Sequence, residues 1–314
     1  SVPVVWATDC PVRFDVWNAF AASGPSGPDR RVDVILSINE EHGTRRVLDH
    51  LLALDMRHCN PIASGSFVSA EMTLAELVRD RQPCVVLTGA GVSTESGVPD
   101  FRSPTGLWAQ FDPLEYGSID AFRRDPEKVW RFYAPRFSML TEAEPNDAHL
   151  ALARLERAGL VRAVVTQNID LLHSRAGSRE VVEVHGSIRT STCPRCGRSY
   201  ELAHVLGLLE EAPAPACSEC EAILKPDVVF FGELLPAGAI ERAFALAREA
   251  QLLLVVGSAL EVHPVAGLPL ETLDAGGAVA IVNLGPTALD SRAELRVEAS
   301  AGETLRAVAD ELGA

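Results

Sequence analysis

The chain has 314 residues, of which 47% are hydrophobic and 23% charged, and its formal net charge at pH 7 is −15. This length and composition predict a globular protein of one large or two smaller domains. The acidic balance argues against direct binding to nucleic acid phosphates and suits a basic peptide as partner. No apolar run approaches the roughly 18 residues of a membrane span and no export signal is evident, so we expect no membrane association and a cytoplasmic location.

Residues 1–71 form an N-terminal segment to which the sequence assigns no role. The segment contains a hinge rich in serine, glycine and proline at 23–28, a strand-like run at 32–38 and a helix-like run at 44–56. The pattern that carries the chemistry begins with a helix predicted over 72–79. Met72 is therefore a candidate for the natural start of the protein.

Beyond Met72, helical periods alternate with short apolar runs, which is typical of a parallel sheet with crossover helices. A helix carrying Leu152 and Leu155 is expected after a cap at Asp147, and another helix over 240–247. We predict an α/β fold with a doubly wound parallel sheet. Its strands are expected at 84–88, 161–166, 181–185, 228–231, 252–256 and 279–283.

Two long stretches depart from this alternation. Residues 103–146 are rich in aromatic side chains, and residues 186–226 hold two close pairs of cysteines. Both stretches are interpreted as insertions, one helical and one metal-binding, that flank a cleft.

A glycine-rich loop, GAGVSTESGVPDFR at 89–102, directly follows the first predicted strand. Gly89 and Gly91 let the backbone turn tightly near a ligand, and the hydroxyls of Ser93 and Thr94 can bond phosphate or ribose oxygens. Thr94 stands where the third glycine of the usual dinucleotide fingerprint is expected. The loop therefore predicts a nucleotide site, but not of the usual dinucleotide type.

The two cysteine pairs are Cys193-x-x-Cys196 and Cys217-x-x-Cys220, with twenty residues between them. This spacing is typical of two knuckles that share one tetrahedral zinc ion. Four thiolates leave no open position for water or substrate, so the metal is expected to be structural. A redox pair is the alternative, although it needs only one CxxC.

Polar side chains follow several other predicted strands. Asn168 and Asp170 lie at the carboxyl end of the strand 161–166, where ligands bind in open α/β sheets. His185 ends the next strand and precedes a Gly-Ser turn, and an imidazole with a pKa of about 6.5 is suited to general-base catalysis near neutral pH. Small-residue turns at 257–260 and 283–285 allow close approach of a nucleotide, and the apolar run at 228–233 offers an edge for an extended peptide.

Together these motifs resemble the sirtuins, in the order of that family, from about Met72 to the C-terminus. The resemblance rests on residues 89–102, 167–170, 185–186, 228–233, 257–260 and 283–285 and on the cysteine pairs. It implies an NAD-dependent protein lysine deacylase with a Rossmann-like sheet, here over 72–314, and a small inserted zinc-binding domain at about 186–226.

The resemblance also implies roles for individual residues. His185 acts as general base on the ribose hydroxyls, with Asn168 beside it. The acyl oxygen of the substrate attacks the ribose carbon as nicotinamide leaves, which gives free lysine and an O-acyl-ADP-ribose. The backbone of the acyl-lysine peptide pairs with Val229, Phe230 and Gly232. NAD is bound by Gly89, Ala90, Gly91, Thr94, Phe101, Arg102, Gln167, Asn168, Ile169, Asp170, Gly257, Ser258, Asn283, Leu284 and Gly285, with Asp170 on the carboxamide.

Acetyl-lysine is the expected substrate, but alternatives stay open. Tyr133 and Arg136 match the Tyr-x-x-Arg spacing by which the desuccinylase branch binds an acyl carboxylate. The sequence Ser-Pro-Thr-Gly at 103–106 departs from the Gly-Ala-Gly-Gly of that branch. An ADP-ribosyltransferase or NAD glycohydrolase would use the same cleft, and a non-enzymatic NAD-sensing module is the remaining reading.

Overall fold

A computed structural model describes residues 70–101 and 106–314 of the chain. The predicted hinge, strand and helix before residue 70 lie outside these described residues. Met72 lies within the first described helix, which begins at Ala70. The helices of the described part are α1 (Ala70–Asp80), α2 (Leu107–Gln110), α3 (Pro113–Tyr116), α4 (Ile119–Arg124), α5 (Pro126–Glu142), α6 (Asp147–Arg157), α7 (Leu172–Ala176), α8 (Leu202–Glu211), α9 (Ala237–Glu249), α10 (Leu268–Asp274) and α11 (Ala301–Glu311).

The strands form two sheets. Among the described residues the strands are β1 (Cys84–Thr88), β2 (Ala163–Thr166), β3 (Val181–Glu183), β4 (Gly186–Thr192), β5 (Ser199–Glu201), β6 (Lys225–Val228), β7 (Leu252–Val256), β8 (Ala278–Val282) and β9 (Leu295–Val297). Six of them pair in parallel in the order β3-β2-β1-β7-β8-β9, and three form an antiparallel sheet in the order β5-β4-β6.

Helices cover both faces of the parallel sheet. Val86 of β1 packs in one buried cluster with Leu152 of α6 and Leu305 of α11. Its neighbour Leu87 points to the opposite face and packs with Leu246 of α9, because successive side chains of a strand alternate between faces. Burial on both faces explains why β1 reads as a continuous apolar run. The predicted doubly wound α/β fold is confirmed.

The strand predicted at 228–231 is wrong. Strand β6 ends at Val228 and belongs to the small antiparallel sheet, and beyond it Phe231 makes only an isolated bridge to Ser118. The run is apolar because Phe230, 2% exposed, fills the core of the small domain. Strand β9, three residues at the edge of the large sheet, was not predicted.

The start of α6 also differs from the prediction by one residue. Asn146, not Asp147, is the N-cap, and its side chain accepts hydrogen bonds from the backbone N–H groups of Ala148 and His149. The imidazole of His149 accepts in return from the backbone N–H of Asn146. The capping box places His149 at a fixed position under the first turn of the helix.

The aromatic insertion and the cysteine-bearing segment share one core. The indole N–H of Trp130 in α5 donates to the carbonyl of Leu224 at 2.7 Å, and Trp130 packs with Phe137 and Ile188. Helix α5 therefore braces the small sheet. The domain boundaries given above remain predictions.

Candidate functional site

The glycine-rich loop lies where the order of the parallel strands reverses, between β1 and β7. The backbone N–H of Gly89 donates to the carbonyl of Val256 at 3.1 Å, and that of Gly91 to the carbonyl of Gly257 at 2.9 Å. A Cβ on Gly257 would lie 2.3 Å from the backbone nitrogen of Val92. Two loops thus meet backbone to backbone at the point where open α/β sheets bind ligands.

Three polar side chains form a buried cluster beside this loop. Asn168, 7% exposed, donates from Nδ2 to the carbonyl of Gly89 and to Oγ of Ser93, both at 3.1 Å. The hydroxyl of Ser93 donates to Oδ2 of Asp170 at 2.7 Å. Oδ1 of Asp170, which is 4% exposed, accepts from the backbone N–H of Leu172 at 2.9 Å. Hydrogen bonds to both oxygens fix the orientation of this carboxylate.

Two buried histidines that the sequence analysis did not single out lie behind the cluster. Nε2 of His149 is 3.4 Å from Oγ of Ser93, and Nε2 of His173 is 2.9 Å from Oγ1 of Thr88. Their ring centroids are 4.7 Å apart. Burial lowers the pKa of His149 to about 4, although the negative charge of Asp170 acts in the opposite direction and raises it. The pKa of His173 lies well below its usual value. Burial is the larger cause, and the nearby His149 lowers it further. Both rings are neutral near pH 7.

His185 follows β3 and is half-buried. Its Nδ1 lies 3.0 Å from the carbonyl oxygen of Gln167. Because a carbonyl can only accept, Nδ1 carries the proton and the neutral ring keeps its lone pair on Nε2. The next residue, Gly186, has a φ of +72°, and a Cβ there would lie 2.0 Å from the carbonyl oxygen of Asp227. The turn that presents His185 therefore requires glycine.

A cavity of about 940 Å³ brings most of the predicted site residues together. Aromatic rings supply much of its wall, including Trp108, which stacks on Phe101 with 5.6 Å between ring centroids. The predicted residues on the wall are Ala90, Phe101, Tyr133, Arg136, Gln167, Asn168, Ile169, Asp170, His185, Val229, Phe230 and Gly232. A cavity of this size, mostly apolar with a few convergent polar groups, is typical of a ligand site.

Other predicted residues line the carboxyl edge of the sheet outside this wall. Nε2 of Gln167 donates to Oγ of Ser258 at 2.9 Å, which joins the β2 loop to the β7 loop. The side-chain amide of Asn283 donates to the carbonyl of Gly285 at 3.0 Å, and Leu284 is 70% exposed. The hydroxyl of Thr94 donates to the carbonyl of Gly91 at 2.9 Å. Gly89, Gly91 and Gly257 lie here too, and Arg102 lies outside the described residues.

Several backbone N–H groups along the edge predicted to bind the substrate peptide already make hydrogen bonds within the chain. The backbone N–H of Val229 donates to the carbonyl of His185 at 2.8 Å, and that of Phe230 donates to the carboxylate of Glu233 at 2.8 Å. The N–H of Phe231 donates to the carbonyl of Gly117 at 2.8 Å. A substrate backbone that pairs here would have to use the carbonyl of Val229 and the peptide groups of Gly232.

Tyr133 and Arg136 lie one helical turn apart on α5 and both face the cavity. The guanidinium carbon of Arg136 lies 3.6 Å from the ring centroid of Phe132 and 5.1 Å from that of Phe111. Its Nη1 also donates to the carbonyl of Phe132. The guanidinium of Arg136 thus contacts two aromatic rings and a carbonyl of its own helix, and burial lowers its pKa from the usual value. Burial raises the pKa of the Tyr133 phenol.

The four cysteines of the two CxxC pairs converge in the small domain. Their sulfur atoms all lie within 4.8 Å of one another. Sγ of Cys193 is 3.4 Å from Sγ of Cys220, and Sγ of Cys196 is 3.5 Å from Sγ of Cys217. The hydroxyl of Tyr200, 3.2 Å from Cys217, lowers the pKa of that thiol to about 6. The described cysteines are free thiols, and a thiol with a lowered pKa more readily supplies the thiolate that a metal binds.

No helix within residues 70–101 and 106–314 is long and apolar enough to cross a membrane.

Comparisons with known proteins identify the family. The model of the Sir2 family matches residues 89–264. The NAD-dependent protein deacetylase of Caldivirga maquilingensis is 44% identical over 252 residues, which cover 80% of this chain and 97% of the relative. That of Thermotoga maritima is 43% identical over 238 residues, covering 76% and 96%.

A solved structure gives the same result. A Sir2 variant with a deacetylated p53 peptide and 3′-O-acetyl ADP ribose superposes with a TM-score of 0.74 at 42% identity, covering 77% of this chain and 98% of that one. The fold and the site define a class of NAD-dependent acyl-transferring enzymes. The chain belongs to the Sir2 family.

Proposed function

We infer that this member of the Sir2 family is an NAD-dependent protein lysine deacylase that transfers the acyl group to ADP-ribose and releases nicotinamide. One observation on this chain carries the assignment. His185 lies on the wall of the same cavity as Asn168 and Asp170, with its Nδ1 proton held by the carbonyl of Gln167 at 3.0 Å. The arrangement couples a general base to a buried amide and carboxylate that suit a ribose and a carboxamide.

We propose the following division of work among the residues. Bound NAD supplies a ribose carbon that loses nicotinamide as the acyl oxygen of lysine adds to it. Asp170 and Asn168 orient the carboxamide and ribose from inside the cavity, while the loop at Gly89 and Gly91 lets phosphates approach the backbone. His185 accepts a proton at Nε2 from a ribose hydroxyl, which makes that oxygen a nucleophile toward the acyl carbon. The proton that His185 takes up can pass to the lysine nitrogen as its bond to the acyl carbon breaks, and one water molecule is consumed in forming the O-acyl-ADP-ribose and free lysine.

The proposed substrate is acetyl-lysine in a protein or peptide. Relatives named as deacetylases support this preference. The stacking of Arg136 on Phe132 also supports it, because a guanidinium engaged by rings and by a backbone carbonyl must be released before it can bind an acyl carboxylate. Removal of succinyl or malonyl groups through Tyr133 and Arg136 is the alternative.

We propose that Cys193, Cys196, Cys217 and Cys220 hold one structural zinc ion. Zinc bound to four thiolates at about 2.3 Å has sulfur atoms about 3.8 Å apart, and the sulfur distances here are of that order. The ion would hold β4, β5 and β6 together, since so small a sheet buries little surface alone. Reduced thiols of this kind support the proposed cytoplasmic location.

The test incubates the purified chain with NAD, with and without an acetyl-lysine peptide of basic sequence, and follows nicotinamide release and peptide mass. Loss of the acetyl mass together with peptide-dependent nicotinamide release and an O-acetyl-ADP-ribose product supports the proposal. Nicotinamide release without peptide would instead indicate an NAD glycohydrolase. If nicotinamide is released neither with nor without the peptide, the result would indicate a non-enzymatic NAD-binding module.

A further inference from the structure

We propose that Lys225 is a positioning residue for the substrate peptide, acting through the ion pair that it makes with Glu233. The proposal rests on the function proposed above, in which the peptide backbone pairs with residues 229–232. Lys225 begins β6, which precedes this segment, and Glu233 directly follows it. Glu233 lines the cavity, whereas Lys225 lies outside the cavity wall. Lys225 would therefore act on the peptide only through the segment that it holds.

The ammonium group of Lys225 is fully bonded within the chain. Nζ donates to the carbonyl oxygens of Pro226 and Val228, each at 3.0 Å, and lies 3.0 Å from Oε2 of Glu233. Because an ammonium has three N–H donors, each donor has an acceptor here. The side chains of Lys225 and Glu233 are only 18% and 24% exposed. Water therefore screens this pair less than it screens an ion pair on the open surface.

Glu233 closes the turn that ends the peptide-binding segment, with both its backbone and its side chain. The backbone N–H of Glu233 donates to the carbonyl of Phe230 at 3.0 Å, and Oε2 of Glu233 accepts from the N–H of Phe230 at 2.8 Å. Gly232 has a φ of +87°, which suits the third position of a four-residue turn. The oxygen that closes the turn is the same oxygen that Lys225 contacts. The ammonium thus holds the turn in place.

Lys225 ties together the two ends of the peptide-binding segment. It contacts the carbonyl of Val228 before the segment and the carboxylate of Glu233 after it. The groups left for a substrate backbone, the carbonyl of Val229 and the peptide groups of Gly232, lie between these two anchors. Loss of the ammonium would deprive a partly buried carboxylate of its counter-charge. The segment would then have to be ordered when the peptide binds, which weakens binding.

The discriminating experiment is steady-state deacetylation with NAD and an acetyl-lysine peptide, each varied in turn. Lys225→Met keeps the aliphatic stem and removes the charge. We expect the KM for the peptide to rise about tenfold, while kcat and the KM for NAD stay within about threefold. Lys225→Arg keeps the positive charge and should hold the peptide KM within about threefold of wild type. An unchanged peptide KM in Lys225→Met, an equal rise in both KM values, or an equal loss in Lys225→Arg overturns the proposal.

Lys128→Met is the matched control, because Lys128 is the only other lysine in the sequence. Lys128 pairs with Glu115, and their side chains are 37% and 46% exposed. We expect this variant to leave both KM values unchanged, since exposed ion pairs contribute little. A rise in the peptide KM equal to that in Lys225→Met would show that any loss of positive charge weakens the peptide, and would contradict the role of Lys225.

Glu233→Gln keeps the proposal testable if Lys225→Met does not fold. Glutamine retains an oxygen that can accept from the N–H of Phe230, but it loses the charge opposite Lys225. We expect the same selective rise in the peptide KM. In the variant that carries both Lys225→Met and Glu233→Gln, the rise should be smaller than the product of the two single effects, because both changes remove one ion pair.

Two results separate this proposal from the proposed function. An unchanged peptide KM in a folded Glu233→Gln protein, or fully multiplicative effects in the double variant, contradicts only the role of Lys225. A wild-type protein that does not deacetylate the peptide would contradict the proposed function itself.

Discussion

Gly91 and Gly257 bring the first and the fourth strand loops of the parallel sheet into direct backbone contact. The N–H of Gly91 donates to the carbonyl of Gly257 at 2.9 Å, and a Cβ on Gly91 would lie 2.8 Å from the Cα of Gly257. Gly257 itself has a φ of +61°. The nucleotide loop thus depends on glycine at two positions that are 166 residues apart, and neither glycine can be replaced without moving backbone.

Gly257→Ala should destabilise the fold and disrupt the nucleotide loop together. Its Cβ would lie 2.3 Å from the backbone nitrogen of Val92, in addition to the strain of a positive φ. We expect the free energy of unfolding to fall by roughly 2–4 kcal/mol and NAD binding to be lost.

Gly285→Ala is the matched control for this prediction. Gly285 also has a positive φ, +91°, but nothing within 4 Å of an added Cβ. We expect Gly285→Ala to lower the free energy of unfolding by only about 1–2 kcal/mol. Urea unfolding measures this difference. An equal loss of unfolding free energy in the two variants would show that the clash with Val92 does not contribute to the destabilisation.

Loss of zinc should unfold the small sheet before the large one. We expect one equivalent of zinc in the purified protein and its loss in Cys217→Ser, because three thiolates bind the ion much more weakly. The measurement is metal content together with thermal unfolding.

Cys84→Ala is the control, since Cys84 is a fully buried core residue of β1. It should lower stability but retain the metal. A wild-type protein that contains no zinc, or a Cys217→Ser protein that retains one equivalent of zinc, would contradict the proposed zinc site.

Stability should depend on pH through the buried histidines. The unfolded chain binds a proton at each histidine below about pH 6.5, whereas folded His149, with a pKa of about 4, does not. The unfolded state therefore binds more protons in this window, so the free energy of unfolding falls as the pH drops from about 6.5 to about 4 and this contribution then levels off. For His149 the loss is on the order of 3 kcal/mol.

Urea unfolding at pH 7 and at pH 4.5 measures this slope. His149→Gln should flatten it relative to wild type, because the carboxylates common to both proteins cancel in the comparison. An unchanged slope in His149→Gln would mean that this histidine is not held neutral.

Acyl preference should not depend on Arg136. Because the guanidinium stacks 3.6 Å from the centre of Phe132, we expect wild-type protein to turn over acetyl-lysine faster than succinyl-lysine. Arg136→Met should change that ratio by no more than about twofold. Arg131→Met, an exposed position on the same helix, is the control. Faster desuccinylation that disappears only in Arg136→Met would establish the alternative.

The sequence allowed prediction of those parts of the site that have a local signature. Four cysteines at a fixed spacing predict a metal site, and a glycine-rich loop after an apolar run predicts a nucleotide site, without reference to the rest of the fold. The structure brings the residues of each pattern together. The parallel sheet was predictable for the same reason, because strands buried on both faces are continuous apolar runs.

What could not be predicted depends on packing between distant elements. His149 and His173 lie on helices α6 and α7 and matter only because those helices bring them against Ser93 and Thr88. Likewise, the apolar run around Phe230 resembles a strand of the large sheet, but its burial comes from the aromatic core of the small domain. Short apolar runs do not reveal what buries them.

The most direct test of the account is made on His185→Ala, which removes the proposed base. The variant should keep the thermal stability of wild type, because His185 is half-buried at a turn whose shape is set by Gly186. With NAD and acetyl-lysine peptide, we expect deacetylation to fall by at least about a hundredfold. Exchange of labelled nicotinamide into NAD should persist, since nicotinamide leaves before the proton transfer. Wild-type rates of deacetylation in a folded His185→Ala protein would contradict the account.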